Sequence, residues 1–135
     1  PAAARLAALR ASADNRRALR AAYMAMERAV AGKGDYVEAD LAFHTTILTA
    51  CGNQYVRQMQ EAMGAILRSI FEVVTQKPGG PMRTLPMHEA VCIAIEQADL
   101  EAAERATLAL IEDADVDWQV LLQSRLATGR SGTLT

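Results

Sequence analysis

The stretch Asp40-Leu41-Ala42-Phe43-His44-Thr45-Thr46-Ile47-Leu48-Thr49-Ala50-Cys51-Gly52-Asn53 decides how this chain is read. Asp35 offers a side-chain cap ahead of it. Gly52-Asn53 tolerates the left-handed backbone that ends a helix, so the spacing predicts a helix over about 36–51. On that helix Asp40 and His44 stand four residues apart and project from one face, with roughly 5–6 Å between Cβ atoms. A carboxylate and an imidazole so placed can grip one divalent metal ion, and a histidine from another helix would add a third ligand. The chain has one further histidine, His88. It begins a face that continues through Cys92 and Ile95, so it meets Asp40 and His44 if the two helices pack together. All three groups are available in the deprotonated form that ligation needs near pH 7. On periodicity alone the other reading, in which each histidine satisfies a core hydrogen bond, stays open.

Working outward, hydrophobic residues make up 51% of the 135 and aromatic residues only 4%. Alanine and leucine must then supply the core, which favours close-packed helices over a sheet. Residues 2–12 read as the tail of a helix. Asp14 is the expected cap of a second helix over about 15–32, with Leu19, Ala22, Met26 and Val30 recurring at three and four. After the helix that carries Asp40 and His44, a long one is expected over about 54–77. Pro78-Gly79-Gly80-Pro81 is the sharpest break, and residues 82–86 are expected to be a loop or loose first turn. A fifth helix should cover about 86–98, with Pro86 in its first turn. Asp99 should cap a sixth over about 100–124. The fold class is therefore all-α: an antiparallel bundle of about six helices joined by short turns, filling one domain over 1–126, with a flexible tail at 127–135.

Net charge is −2, so the domain as a whole lacks the basic balance of a nucleic-acid binder. Arginines 5, 10, 16, 17 and 20 crowd the start and acidic residues crowd the end, which reads as two solvated faces that attract. No apolar run reaches the ~18 residues of a membrane span. The chain opens at Pro1 in a helical segment, so the N-terminal part of a longer protein is expected to precede it. Cys51 and Cys92 lie in apolar helical contexts and read as buried thiols of a cytoplasmic protein; Cys92, four after His88, is also a conceivable fourth ligand. An open metal site invites a hydrolytic enzyme as an alternative. Against it, there is no further general base at a convincing spacing, no nucleophile motif and no glycine-rich phosphate loop. A third class is a metal-free helical module for dimerisation or a lipid-like ligand, with six methionines as adaptable packing.

The opening stretch resembles the D-x-x-F-H-x-x-[IL]-x-x-A-x-G-N signature of the FadR-type C-terminal effector domain (FCD) of GntR-family bacterial transcription regulators. Leu85-Pro86-Met87-His88-Glu89-Ala90-Val91, then Ala94-Ile95, Asp99 and Ala102-Ala103, is similar to a second pattern of that family. The resemblance extends from Pro1 to about Leu122. It implies a helical bundle that binds a small carboxylate effector at a metal site, often zinc or nickel, held by one aspartate and three histidines. It also implies a homodimer, and an N-terminal winged helix-turn-helix that binds operator DNA. Asp40, His44 and His88 match three ligand positions, while the fourth, 22 residues after His88, is Leu110. The Leu-Pro-x-His form with Leu110-Ile111 resembles the branch that answers to sugar acids such as galactonate. A hydroxy acid could chelate the open metal positions while an arginine holds its far end. Arg68 is the first candidate, with a snorkelling surface residue as its alternative, and Arg57 and Arg83 are others. Asn53 could also reach an effector, or simply cap the helix it follows.

Overall fold

The computed structural model describes residues 1–58, 64–66, 68, 69 and 79–129. Five helices are delimited there: α1 (Ala2–Arg10), α2 (Ala13–Val30), α3 (Tyr36–Ala50), α4 (Gly80–Glu96) and α5 (Leu100–Gly129). The described residues contain no strand, so the all-α expectation holds. α2 pairs with α3 and α4 with α5, each across a short connection, and α2 also meets α4. α1 packs on α3, α4 and α5. It can do so because the face it turns inward is Ala4, Ala7 and Ala8, all buried, and alanine lets helix backbones approach closely. Around that face lie Leu19, Met26, Phe43, Val91 and Ile95, which form the middle of the core.

The helix ends show where local sequence rules compete. α2 is capped by Ser12, not Asp14: the Ser12 hydroxyl accepts from the Asn15 amide at 3.1 Å, and the Asn15 side chain accepts from the Ser12 amide at 3.1 Å. That reciprocal box satisfies two otherwise orphaned donors, and Asp14 falls in the first turn, where its charge faces the positive end of the helix dipole. Asp35 caps α3 and Asp99 caps α5 as expected. Gly52 adopts φ 67°, which stops α3.

α4 differs more from expectation. It begins at Gly80, six residues before the expected start, behind Gly79 at φ 77°. Pro81 falls in the first turn, where its missing N–H is no loss, so the sharpest break in the sequence is a helix start and 82–86 is helix. Pro86 then lies inside α4. At the other end α5 runs to Gly129, past the expected tail boundary at 127, and residues 130–135 lie outside the described set. So does much of the expected helix over 54–77, whose described parts, 54–58, 64–66 and 68–69, are helical.

The basic start does meet the acidic end: Arg5 pairs with Glu104 at 3.4 Å, and Arg20 grips Glu96 with both arms of its guanidinium. These pairs are partly solvated and contribute little individually. The apolar centre matters more. Met26→Ala should lower unfolding free energy by about 2–5 kcal/mol, read from the urea midpoint at constant slope. Cys51 and Cys92 are both buried, and burial, with help from nearby Glu96, pushes the Cys92 thiol up to about 12. Iodoacetamide at pH 8 should therefore leave both cysteines unmodified in native protein and label both in urea, as mass spectrometry will show.

Candidate metal centre

Three helical turns build the site. α3 presents Asp40 and His44 from one face, and α4 presents His88 from its third turn. The Asp40 Oδ1 atom lies 3.2 Å from His44 Nε2 and 3.1 Å from His88 Nε2. Asp40 and His88 are 6% and 4% exposed, so this is a buried carboxylate, while the His44 side chain is partly open. Phe43 stacks edge-on against both imidazoles, with centroids 5.7 and 5.3 Å away. Its neighbour along α3 therefore holds the rings in place.

The protonation pattern follows from one contact. His88 Nδ1 lies 2.9 Å from the Thr84 carbonyl oxygen. A carbonyl only accepts, so Nδ1 carries the proton, and in the neutral ring Nε2 is a lone pair. That lone pair faces Asp40 Oδ1, which is itself an acceptor. Despite the two nitrogens nearby, Asp40 Oδ1 is buried without a well-aligned hydrogen bond. A buried carboxylate oxygen left so is costly. Burial works to raise the Asp40 pKa; with the two rings protonated, their hydrogen bonds and charge outweigh it and hold the carboxyl well below the usual carboxylate range, and a cation shared by neutral rings would act in the same direction. Asp40, His44 and His88 each offer one ligand atom to a common point, and these atoms all lie within 4.8 Å of one another. Ligands held about 2.0–2.2 Å from a zinc-type ion lie about 3.0–3.5 Å apart, so the contacts to Asp40 fit a shared cation. The Nδ1 bond to Thr84 is the outer-shell contact that orients a ligating histidine.

The group forms part of the wall of a cavity of about 300 Å³. α1 contributes Ala3 and Ala4, α3 adds Ile47 and Leu48 below His44, and α5 adds Thr107, Leu110, Ile111 and Ala114. Leu110 therefore occupies the same cavity as the three polar residues, with a hydrocarbon side chain where the resemblance places a fourth histidine. Of the residues expected to reach an effector, Arg83 stands in the cavity wall, where it pairs with Asp113. Arg68 pairs with Glu38 instead. Asn53 caps the helical stretch that follows it, accepting from the Tyr55 amide at 3.0 Å, and Arg57 is exposed. Cys92, one turn beyond His88, is buried with the apolar core and is not in the converging group. Sequence reasoning missed Thr107. Residues 107, 110, 111 and 114 share one helical face, but nothing in that spacing marks the Thr107 hydroxyl.

The described residues thus define an all-helical domain with a largely apolar cavity whose wall includes one carboxylate and two imidazoles. The chain belongs to the FCD domain family, whose profile matches residues 1–113. It is also similar to the galactonate operon transcriptional repressor of Escherichia coli (strain K12), with 31% identity over 112 residues, 82% of this chain and 49% of that protein. The chain thus spans about half the length of the curated relative it matches. The resemblance drawn from the D-x-x-F-H stretch is borne out. Among the described residues no helix is long and apolar enough to cross a membrane.

The geometry predicts a loss specific to charge. Asp40→Asn keeps the shape of the side chain and removes the anion. It should weaken zinc or nickel binding at least about a hundredfold, since even outer-shell partners are worth about 10–100-fold. Equilibrium dialysis with elemental analysis measures this. Undiminished binding in the variant would place the metal elsewhere.

Proposed function

We propose that this chain is the effector-sensing domain of a transcription regulator, not an enzyme, and that Asp40, His44 and His88 hold a divalent ion, zinc or nickel, at which a small organic acid binds. The observation that carries the reading is the buried, unsatisfied Asp40 oxygen between two imidazole nitrogens in the wall of a cavity. Family membership and the repressor relative support the regulatory role. With three protein ligands and Leu110 in the fourth place, the ion would supply positive charge and open coordination positions for a carboxylate. Arg83 lines the same wall, where it pairs with Asp113. The regulator would be a cytoplasmic homodimer that reaches operator DNA through a domain preceding Pro1.

The residues of the cavity suggest how occupancy is transmitted. An effector shifts a protein only by binding two states with different affinity. Chelation by Asp40 and His44 on α3 and by His88 on α4 would draw those helices together. Pro1, Ala3 and Ala4 line the same cavity, so a filled cavity bears directly on α1, the helix that would lead to the DNA-binding part. A dimer reads two half-sites at a set spacing, so a small displacement of α1 is enough to release the operator.

A thermal-shift screen of organic acids tests the reading. An effector at about 100 times its dissociation constant stabilises the protein by about 2.7 kcal/mol, a shift of several degrees in Tm. That shift should vanish on chelation with EDTA and in His44→Ala. A shift of full size in either case would refute the metal-bridged site.

A further inference from the structure

The walls of the cavity say what kind of acid it takes. This step rests on the metal-site reading above and concerns the part of the ligand that the metal does not touch. Below His44, α3 turns Ile47 and Leu48 into the cavity, and α5 faces them with Leu110 and Ile111. Most polar groups in the wall already have partners within the protein. The Thr84 hydroxyl donates to the Gly80 carbonyl at 3.1 Å and meets the Tyr36 hydroxyl at 3.3 Å. Arg83 pairs with Asp113. Away from the ligand group, the Thr107 hydroxyl is the buried side-chain atom without a hydrogen-bond partner among the described residues.

We infer that the effector is a short carboxylic acid with an apolar body, such as a branched aliphatic 2-hydroxy acid, and that the Thr107 hydroxyl bonds one oxygen of its head. A sugar acid carries a hydroxyl on almost every carbon. In this cavity the hydroxyls set against the buried Ile47 and Leu110 would have no partner, and each such burial costs about tenfold or more in affinity. A hydrocarbon body of the same length meets the same side chains favourably. A volume of about 300 Å³ lies at the small end of ligand pockets, in keeping with a short acid.

Calorimetric titration of the zinc-loaded chain with 2-hydroxy-4-methylpentanoate and with galactonate isolates the body of the ligand, because both acids offer the same carboxylate and 2-hydroxyl. The aliphatic acid should bind at least about tenfold more tightly. Thr107→Val, close to isosteric, should weaken it about tenfold with zinc content and melting curve unchanged. Galactonate binding as tightly or more tightly overturns the inference and leaves the metal-site reading standing. Failure of both acids to bind protein that holds zinc overturns that reading and the inference with it. Undiminished affinity in Thr107→Val overturns the role given to Thr107.

Discussion

The burial of the Asp40 carboxylate between two helices is the constraint on which the rest of the structure depends. Moving a carboxylate out of water costs several kcal/mol unless something answers its charge and its lone pairs. Here the nearest nitrogens come from two directions, His44 one turn along α3 and His88 across on α4, and whatever answers the charge must sit among all three. The two helices must therefore hold a common register to within a fraction of a helical turn. That register has identifiable supports. Gly79 turns the chain and Pro81 starts α4 immediately, which sets how far along the helix His88 emerges. The Thr84 carbonyl then fixes the ring, and Phe43 packs edge-on against both imidazoles.

A second constraint is that a cavity survives beside this group at all. Protein interiors pack at crystal-like density, so an internal space persists only where side chains are too short to fill it or too constrained to collapse into it. Both conditions hold. α1 brings Ala3 and Ala4 to the wall, and no rotamer of alanine reaches further. Leu110 and Ile111 come from α5, which is anchored on α1 and α4. The same small residues that let α1 sit deep in the bundle thus leave room beside it.

Much of this was legible from residue spacing. The Asp40–His44 pair, the capping roles of Asp35 and Asp99, the apolar faces and the helical class all follow from periods of three and four, which are local. What escaped depended on competition between neighbours. Ser12 displaced Asp14 as cap because Asn15, three residues on, could answer it. Pro78-Gly79-Gly80-Pro81 looked like a loop because proline and glycine are counted as breakers, yet Pro81 is well suited to a first helical turn, and α4 gained six residues. Thr107 was passed over because its significance is not local. A threonine in a helix commonly bonds a backbone carbonyl one turn back, and only the fold reveals that its hydroxyl is buried without a partner.

Leu110, where the family resemblance implies a histidine, lies between the polar and apolar parts of the cavity. With a fourth imidazole, a cation at Asp40 would be more nearly enclosed by protein and would have less need of an outside ligand. With leucine there, a cation held by Asp40, His44 and His88 would face hydrocarbon on one side, and a ligand completing its shell would present an anion to the cation and an apolar surface to Leu110. Such a molecule would be amphipathic and would lie against α1, since Ala3 and Ala4 line the cavity it would fill. A leucine at 110 would thus leave the protein fewer ligands for a metal and make the effector a larger part of the site, next to the helix that would carry the signal.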